Sequence, residues 1–134
     1  MSSVSSIALS GMSVASLRLQ VSANNVANAM SSGPLPGAAA GGNFPAAYNA
    51  ERVNQIALAG GGTGATITTV SPGTVRAYDP TAPYADSQGM VATPNVDLAG
   101  EIVQQLTASL SFAANARMVK ADAQMTASLF DITA

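Results

Sequence analysis

The 134-residue sequence predicts a mainly α fold: long N- and C-terminal helices that form an antiparallel, coiled-coil-like pair, with a small β- and loop-rich middle lobe. Three observations predict it. Residues 95–134 carry no proline and only one glycine, Gly100, and their apolar or small residues recur at heptad spacing. Residues 2–30 repeat that spacing. Between the two, glycine, proline and β-branched residues punctuate the chain. The expected division is 1–30 for the N-terminal helix, 31–94 for the lobe and 95–134 for the C-terminal helix.

In the last quarter the row runs Leu98, Ile102, Gln105, Ser109, Phe112, Ala116, Val119, Ala123, Thr126, Phe130. Its steps of four and three mark a helix face that meets another helix, and Leu106 stands beside Gln105. Pro94 stops any earlier element, and Asn95 or Asp97 can cap the helix start. Asp97 and Glu101 suit the positive end of the helix dipole. A helix of about 35 residues would be about 50 Å long, too long to wrap inside so small a globule. Something must lie along it.

The N-terminal row runs Ala8, Met12, Ala15, Leu19, Ser22, Val26. Met12, Leu19 and Val26 are its large knobs, and Ala8, Ala15 and Ser22 let a partner helix come close. Asn24, Asn25 and Asn28 are weak helix formers. They fit a helix end, with Asn28 a candidate left-handed cap, or hydrogen bonds between subunits from Asn25 and Asn28. Residues 31–47 read as a Gly/Ala/Pro/Ser loop, mobile until assembled. Residues 48–58 alternate like a strand, 60–62 form a glycine turn, and 65–70 are the best strand by β-branched content. Residues 74–78 are expected to pair with 65–70 across Ser71-Pro72-Gly73, and 79–95 to be irregular.

Composition excludes several functions. Arg18 is the only charged side chain before Glu51, and the formal charge of −2 rules out a basic nucleic-acid footprint. With no Cys or His, the commonest metal ligands and most nucleophile–base pairs are missing. Cysteine absence also fits a secreted or periplasmic chain without disulfides. The first ten residues carry no positive charge, so no cleaved signal peptide is expected. No run of about 20 residues reads as apolar enough to span a bilayer, and the N-terminal helix lacks the basic density that lipid binding uses. A surface so poor in charge is usually covered by neighbours. Isolated helices are marginal in water, so both terminal helices are expected to be loose in the monomer and ordered in an assembly.

Four separate motifs then bring in a family. Arg18-Leu19-Gln20-Val21-Ser22-Ala23-Asn24-Asn25-Val26-Ala27-Asn28 resembles the opening signature of bacterial flagellar rod and hook proteins. Ala77-Tyr78-Asp79-Pro80 through Pro83-Tyr84-Ala85-Asp86 and Gly89 resembles the stretch before the last helix in the proximal-rod type. Pro94-Asn95-Val96-Asp97 and Gly100-Glu101-Ile102-Val103 continue that likeness. Ser111-Phe112-Ala113-Ala114-Asn115 resembles the C-terminal aromatic-then-Ala-Asn motif of the axial family. The likeness covers about two thirds of the chain. It departs at residues 32–42, where a threonine-and-tyrosine step is expected and Tyr48-Asn49-Ala50 is the displaced counterpart, and at Leu110, where arginine is expected.

The resemblance implies a structural subunit of the flagellar basal body. It would be exported unfolded by the flagellar type III apparatus and added to a helical tube in the periplasm, beside other rod proteins and copies of itself. The terminal helices would form the inner coiled-coil layer around the export channel and transmit torque. No cofactor, nucleic acid or membrane insertion is expected. The expected subunit-packing residues are Met12, Leu19, Asn25, Val26 and Asn28 on the first helix, and Leu98, Ile102, Leu106, Phe112, Asn115 and Val119 on the last.

An enzyme is the weaker reading. Asp97 and Glu101 share a helix face and in principle make an acid–base pair or cation site, but no His, Cys or Lys accompanies them, and capping explains both. Residues 60–64 lack the lysine and the following helix of a phosphate loop. Arg117 and Lys120 read as a solvated or intersubunit face. The alternative from another class is a small secreted helical-hairpin effector or partner-binding module. It would form a discrete oligomer, and its loss would spare motility.

Overall fold

In a computed structural model, residues 3–37 and 43–132 are described. The element order is α1 (Ser3–Asn28), β1 (Glu51–Ala57), β2 (Thr63–Thr69), β3 (Thr74–Tyr78), β4 (Met90–Pro94) and α2 (Leu98–Ile132). The fold is two long terminal helices around a small β region, as expected. Residues 133–134 of the expected C-terminal helix, residues 1–2 of the first and 38–42 of the loop lie outside the described residues.

Asp97 sets the start of α2. Its Oδ1 accepts from the Ala99 N–H at 3.1 Å, satisfying a donor that the first turn leaves free, and its carbonyl accepts the first helical bond, from the Glu101 N–H at 2.9 Å. Asn95 is not the cap; its amide donates to the Pro72 carbonyl at 3.0 Å. At the far end of α1, Asn28 is not a left-handed cap, because no described residue other than glycine has positive φ. Its Nδ2 donates back to the Asn24 carbonyl at 2.9 Å, and its own carbonyl accepts from both the N–H and the hydroxyl of Ser31 at 2.9 and 2.8 Å. Gly33-Pro34 follows.

The two helices run antiparallel. Ser5 donates to the Asp122 carboxylate, Gly11 lies against Asn115, and Ser22 Oγ donates to the Glu101 carbonyl at 3.1 Å. With 26 residues against 35, α1 cannot cover α2.

β1 and β2 form an antiparallel hairpin registered from Glu51↔Thr69 to Ala57↔Thr63. Its tip turns through Gly61 and Gly62, both at φ +85°, a conformation open to glycine at little cost. The hairpin lies along α1. Glu51 meets Asn25 at one end, and at the other the Thr63 N–H donates to Ser10 Oγ at 3.0 Å. The lengths agree: six strand steps from Glu51 to Ala57 span about 20 Å and fifteen helical steps from Ser10 to Asn25 about 23 Å. α1 therefore has α2 on one side and the hairpin on another.

Two expectations about the middle need correction. β3 pairs with β4, from Thr74↔Pro94 to Tyr78↔Met90, and not with β2. Ser71-Pro72-Gly73 leads into a second ribbon, and the Gly73 carbonyl joins the two by accepting the N–H groups of Ala50 and Asn95 at 3.2 and 2.9 Å. β4 itself lies in the stretch read as irregular. It does not alternate because Val91, Ala92 and Pro94 are all buried. The loop after α1 covers the side that carries Met90 and Ala92. Gly33 exchanges hydrogen bonds with Ala92 at 3.0 and 2.9 Å, Leu35 and Ala47 pack with Ala92 and Met90, Ser32 Oγ and the Tyr84 hydroxyl are 2.7 Å apart, and Phe44 meets Tyr84 edge-on at 5.4 Å. Both flanks of that loop are thus tied down within the chain.

By length and composition α1 is also long and apolar enough to cross a membrane, contrary to the expectation that no run would be. One face of it is nevertheless committed to polar contacts with α2 and the hairpin through Ser5, Ser22 and Asn25.

Candidate assembly surface

The faces by which the helices meet are small and polar. On α1 they include Ala8, Ala15, Ser22 and Asn25, all buried, with Gly11 in the same row. On α2 they include Glu101, Gln105, Ser111, Asn115, Val119 and Asp122, part-buried around Ala108, which is 1% exposed. The approach is close: a β-carbon on Gly11 would stand 2.7 Å from Asn115 Oδ1 and 2.8 Å from its Cγ and Nδ2. Small residues permit that spacing.

Asn25 is the hub of this junction and is 1% exposed. Its Nδ2 donates to the Glu51 carbonyl at 2.7 Å and to Glu101 Oε1 at 2.6 Å. Its Oδ1 accepts from the Tyr48 hydroxyl and the Glu51 N–H, each at 3.0 Å. Two donors and two lone pairs are the whole capacity of an amide, so α1, the hairpin, the preceding loop and α2 meet at one satisfied side chain. A polar residue in a helix interior is stable there because nothing is left unpaired. Burial pushes the Tyr48 hydroxyl pKa above its ordinary value, and the negative charges of Glu51 and Glu101 add to the rise. The same junction floors a cleft of about 430 Å³ lined by Arg18, Arg52, Glu51 and Glu101. Among the described residues no group of three or more Asp or Glu could hold a metal ion.

Leu98, Ile102, Val103, Leu106 and Leu110 all lie on the other side of α2 and are exposed, Ile102 by 64% and Leu110 by 63%. No residue from Ile102 to Ala116 is charged. The observed inner row is rotated by about half a residue step, roughly 50°, from the apolar row read in the sequence.

The expected packing residues therefore divide. Leu98, Ile102 and Leu106 face outward, and so do Leu19 and Val26. Met12 and Phe112 line a groove of about 540 Å³ with Leu9 and Leu17, which adjoins a second where Phe112 meets Ala15, Leu19 and Ala108. Asn115 and Val119 turn toward α1. Asn28 caps its own helix. Asn25 is buried with its amide wholly used, so it has no hydrogen bond left for another subunit; this corrects the intersubunit role expected of it. Sequence reasoning missed Glu101 as its partner and assigned it only to the helix start. The signal that points to the inner row is the small-residue line Ala8, Ala15, Ser22: where α1 is small, its partner is close.

Comparisons with known proteins bear on the family. Residues 87–132 match the family described as flagellar basal body rod FlgEFG protein C-terminal. The flagellar basal-body rod protein FlgC of Agrobacterium fabrum is 33% identical over 98% of this chain and 94% of its own. The proteins of that name from Escherichia coli O6:H1 and Salmonella typhimurium are 36% and 37% identical over 84% and 81% of this chain, and over 83% and 80% of their own. Matched by these relatives over four-fifths or more of its length, the chain belongs to the FlgC family of flagellar basal-body rod proteins.

Proposed function

We propose that this chain is a structural subunit of the proximal flagellar rod, and that it packs the outer face of α2 against neighbouring subunits. The observation that carries this reading is the uncharged apolar ridge Leu98, Ile102, Leu106, Leu110, left uncovered by α1. An exposed apolar patch of this kind marks a protein interface, and the relatives are named as rod proteins.

In this account α1 and α2 act as a coiled-coil-like unit of the inner layer around the export channel. Copies of this chain and other rod proteins interdigitate with it, and torque passes through the packed helices. The subunit reaches the periplasm through the flagellar type III apparatus without a cleaved signal. Its role is mechanical: it uses no cofactor, performs no catalysis and does not bind nucleic acid. The grooves beside Met12, Leu19 and Phe112 receive side chains from a neighbour, large knobs entering holes between small residues.

The test is complementation of a strain lacking the gene. Leu110→Asp places a charge on the ridge without touching α1. The reading expects normal export, a folded subunit and loss of hooks, filaments and swimming. Full motility with Leu110→Asp and with Leu106→Asp would overturn it.

A further inference from the structure

We propose that the Asn25 amide fixes the rotation of α2 about its own axis, and thereby decides which face of that helix is presented outward. What the outward face is used for rests on the assembly reading; the rotation itself does not.

Two packings of α2 on α1 compete. The sequence offers an apolar row, Leu98, Ile102, Phe112, Val119, whose burial is the ordinary driving force for pairing helices. The structure instead turns inward the row Glu101, Gln105, Ala108, Asn115 and leaves Leu98 and Ile102 exposed. Gln105, Phe112 and Val119 stand near both rows, so the difference is greatest at the first turns. There Glu101 occupies the position that Leu98 and Ile102 would take. The only side chain of α1 bonded to the Glu101 carboxylate is Asn25, through Nδ2 at 2.6 Å, among the described residues. Ser22 holds the same residue by its carbonyl at 3.1 Å.

The amide cannot follow α2 if it turns. Its other three hydrogen bonds go to Glu51 and Tyr48, which anchor it to the hairpin and loop. Rotation toward the apolar row would draw the Glu101 carboxylate away and leave a buried N–H unpaired, a penalty that opposes the move. A single buried polar group setting register against a purely apolar alternative is a known device in paired helices. Here the device keeps the ridge outside. Asn25 is a positioning residue: it acts on the interface through α2 and does not touch it.

The experiment uses the full chain with two reporters. The pair Ser5→Cys and Asp122→Cys, at the far end of the helix pair, reports the observed packing by disulfide formation under mild oxidation. In a separate protein Ile102→Cys reports outward exposure by its rate of maleimide labelling. In an Asn25→Leu background the cross-link yield is expected to fall and Ile102→Cys labelling to slow by about tenfold, as a minor packing becomes the populated one, with helical circular dichroism retained. Glu101→Leu is expected to do the same, whereas Glu101→Gln, which keeps an acceptor oxygen, should behave as wild type. Should Asn25→Leu fail to fold, the two Glu101 variants decide. Native cross-linking and labelling in Glu101→Leu, or equal loss in Glu101→Gln and Glu101→Leu, overturns the proposal. Swimming tests separate the two readings: a turned α2 with full motility leaves this proposal standing and contradicts the use of the ridge in assembly.

Discussion

Replacing Gly11 with Ala sets two effects of opposite sign against each other. In a helix interior Ala is preferred to Gly by about 1 kcal/mol, so the change should stabilise α1 if the site is open. The site is closed. The new methyl would lie 2.7–2.8 Å from three atoms at the end of the Asn115 side chain, nearer than real carbon contacts allow. Asn115 is part-buried and its Nδ2 is engaged with the Ser111 carbonyl at 2.8 Å, so it must leave its place or the helices must separate. Overpacking of this kind costs about 1–3 kcal/mol. The net expectation is destabilisation by roughly 1 kcal/mol, a drop of about 4 °C in Tm for a chain of this size. In an Asn115→Ala background the obstruction is gone and Gly11→Ala should stabilise by about 1 kcal/mol. The double-mutant cycle therefore predicts a coupling of about 2 kcal/mol between residues far apart in sequence. Urea titration followed by circular dichroism measures all four corners. If Gly11→Ala stabilises both backgrounds equally, the helices are not in close contact at this point.

Other outcomes follow from the same geometry. Asn25→Ala removes four hydrogen bonds and strands partners at a buried junction, and should destabilise the chain by about 2–4 kcal/mol in the same urea assay. Because the Tyr48 pKa is raised in the folded chain, its contribution to stability is complete below the unfolded tyrosine value of about 10 and is lost as pH rises through the folded value. Tyr48→Phe should flatten that alkaline loss in melts taken across the range. Leu106→Ser removes an exposed side chain and should change monomer stability by less than about 0.5 kcal/mol, while weakening assembly in a swimming assay.

The helices were legible because their signals are local. Long runs free of proline, Asp97 ahead of an apolar pattern, and Gly33-Pro34 after α1 place the end of α1 and the start of α2 to within about three residues. Strands β1 and β2 and the glycine turn between them were legible from local composition, but their pairing was not, since residues 65–70 were expected to pair with 74–78 instead. β4 was not legible, since Val91 and Ala92 are both buried, the loop carrying Gly33, Leu35 and Ala47 packing at the Ala92 side, and burial of successive residues erases alternation. The rotation of α2 was missed for a related reason. Heptad reading assigns the largest side chains to the nearest partner, whereas here the close contact is made by Gly11, Ala15 and Ala108 and the large side chains look away. Asn25 appeared out of place in a helix until its partners Tyr48, Glu51 and Glu101 were known, and none of them is local to it in sequence.

The central claim is that the uncovered side of α2 is built to be covered by other subunits. A cryo-electron map of isolated basal bodies with this chain traced in it tests the claim most directly. The account predicts Ile102, Leu106 and Leu110 in van der Waals contact with a neighbouring rod subunit, and Gly11 still against Asn115 within the same chain. A map in which that ridge faces water, with α1 and α2 contacting no other subunit, would contradict it.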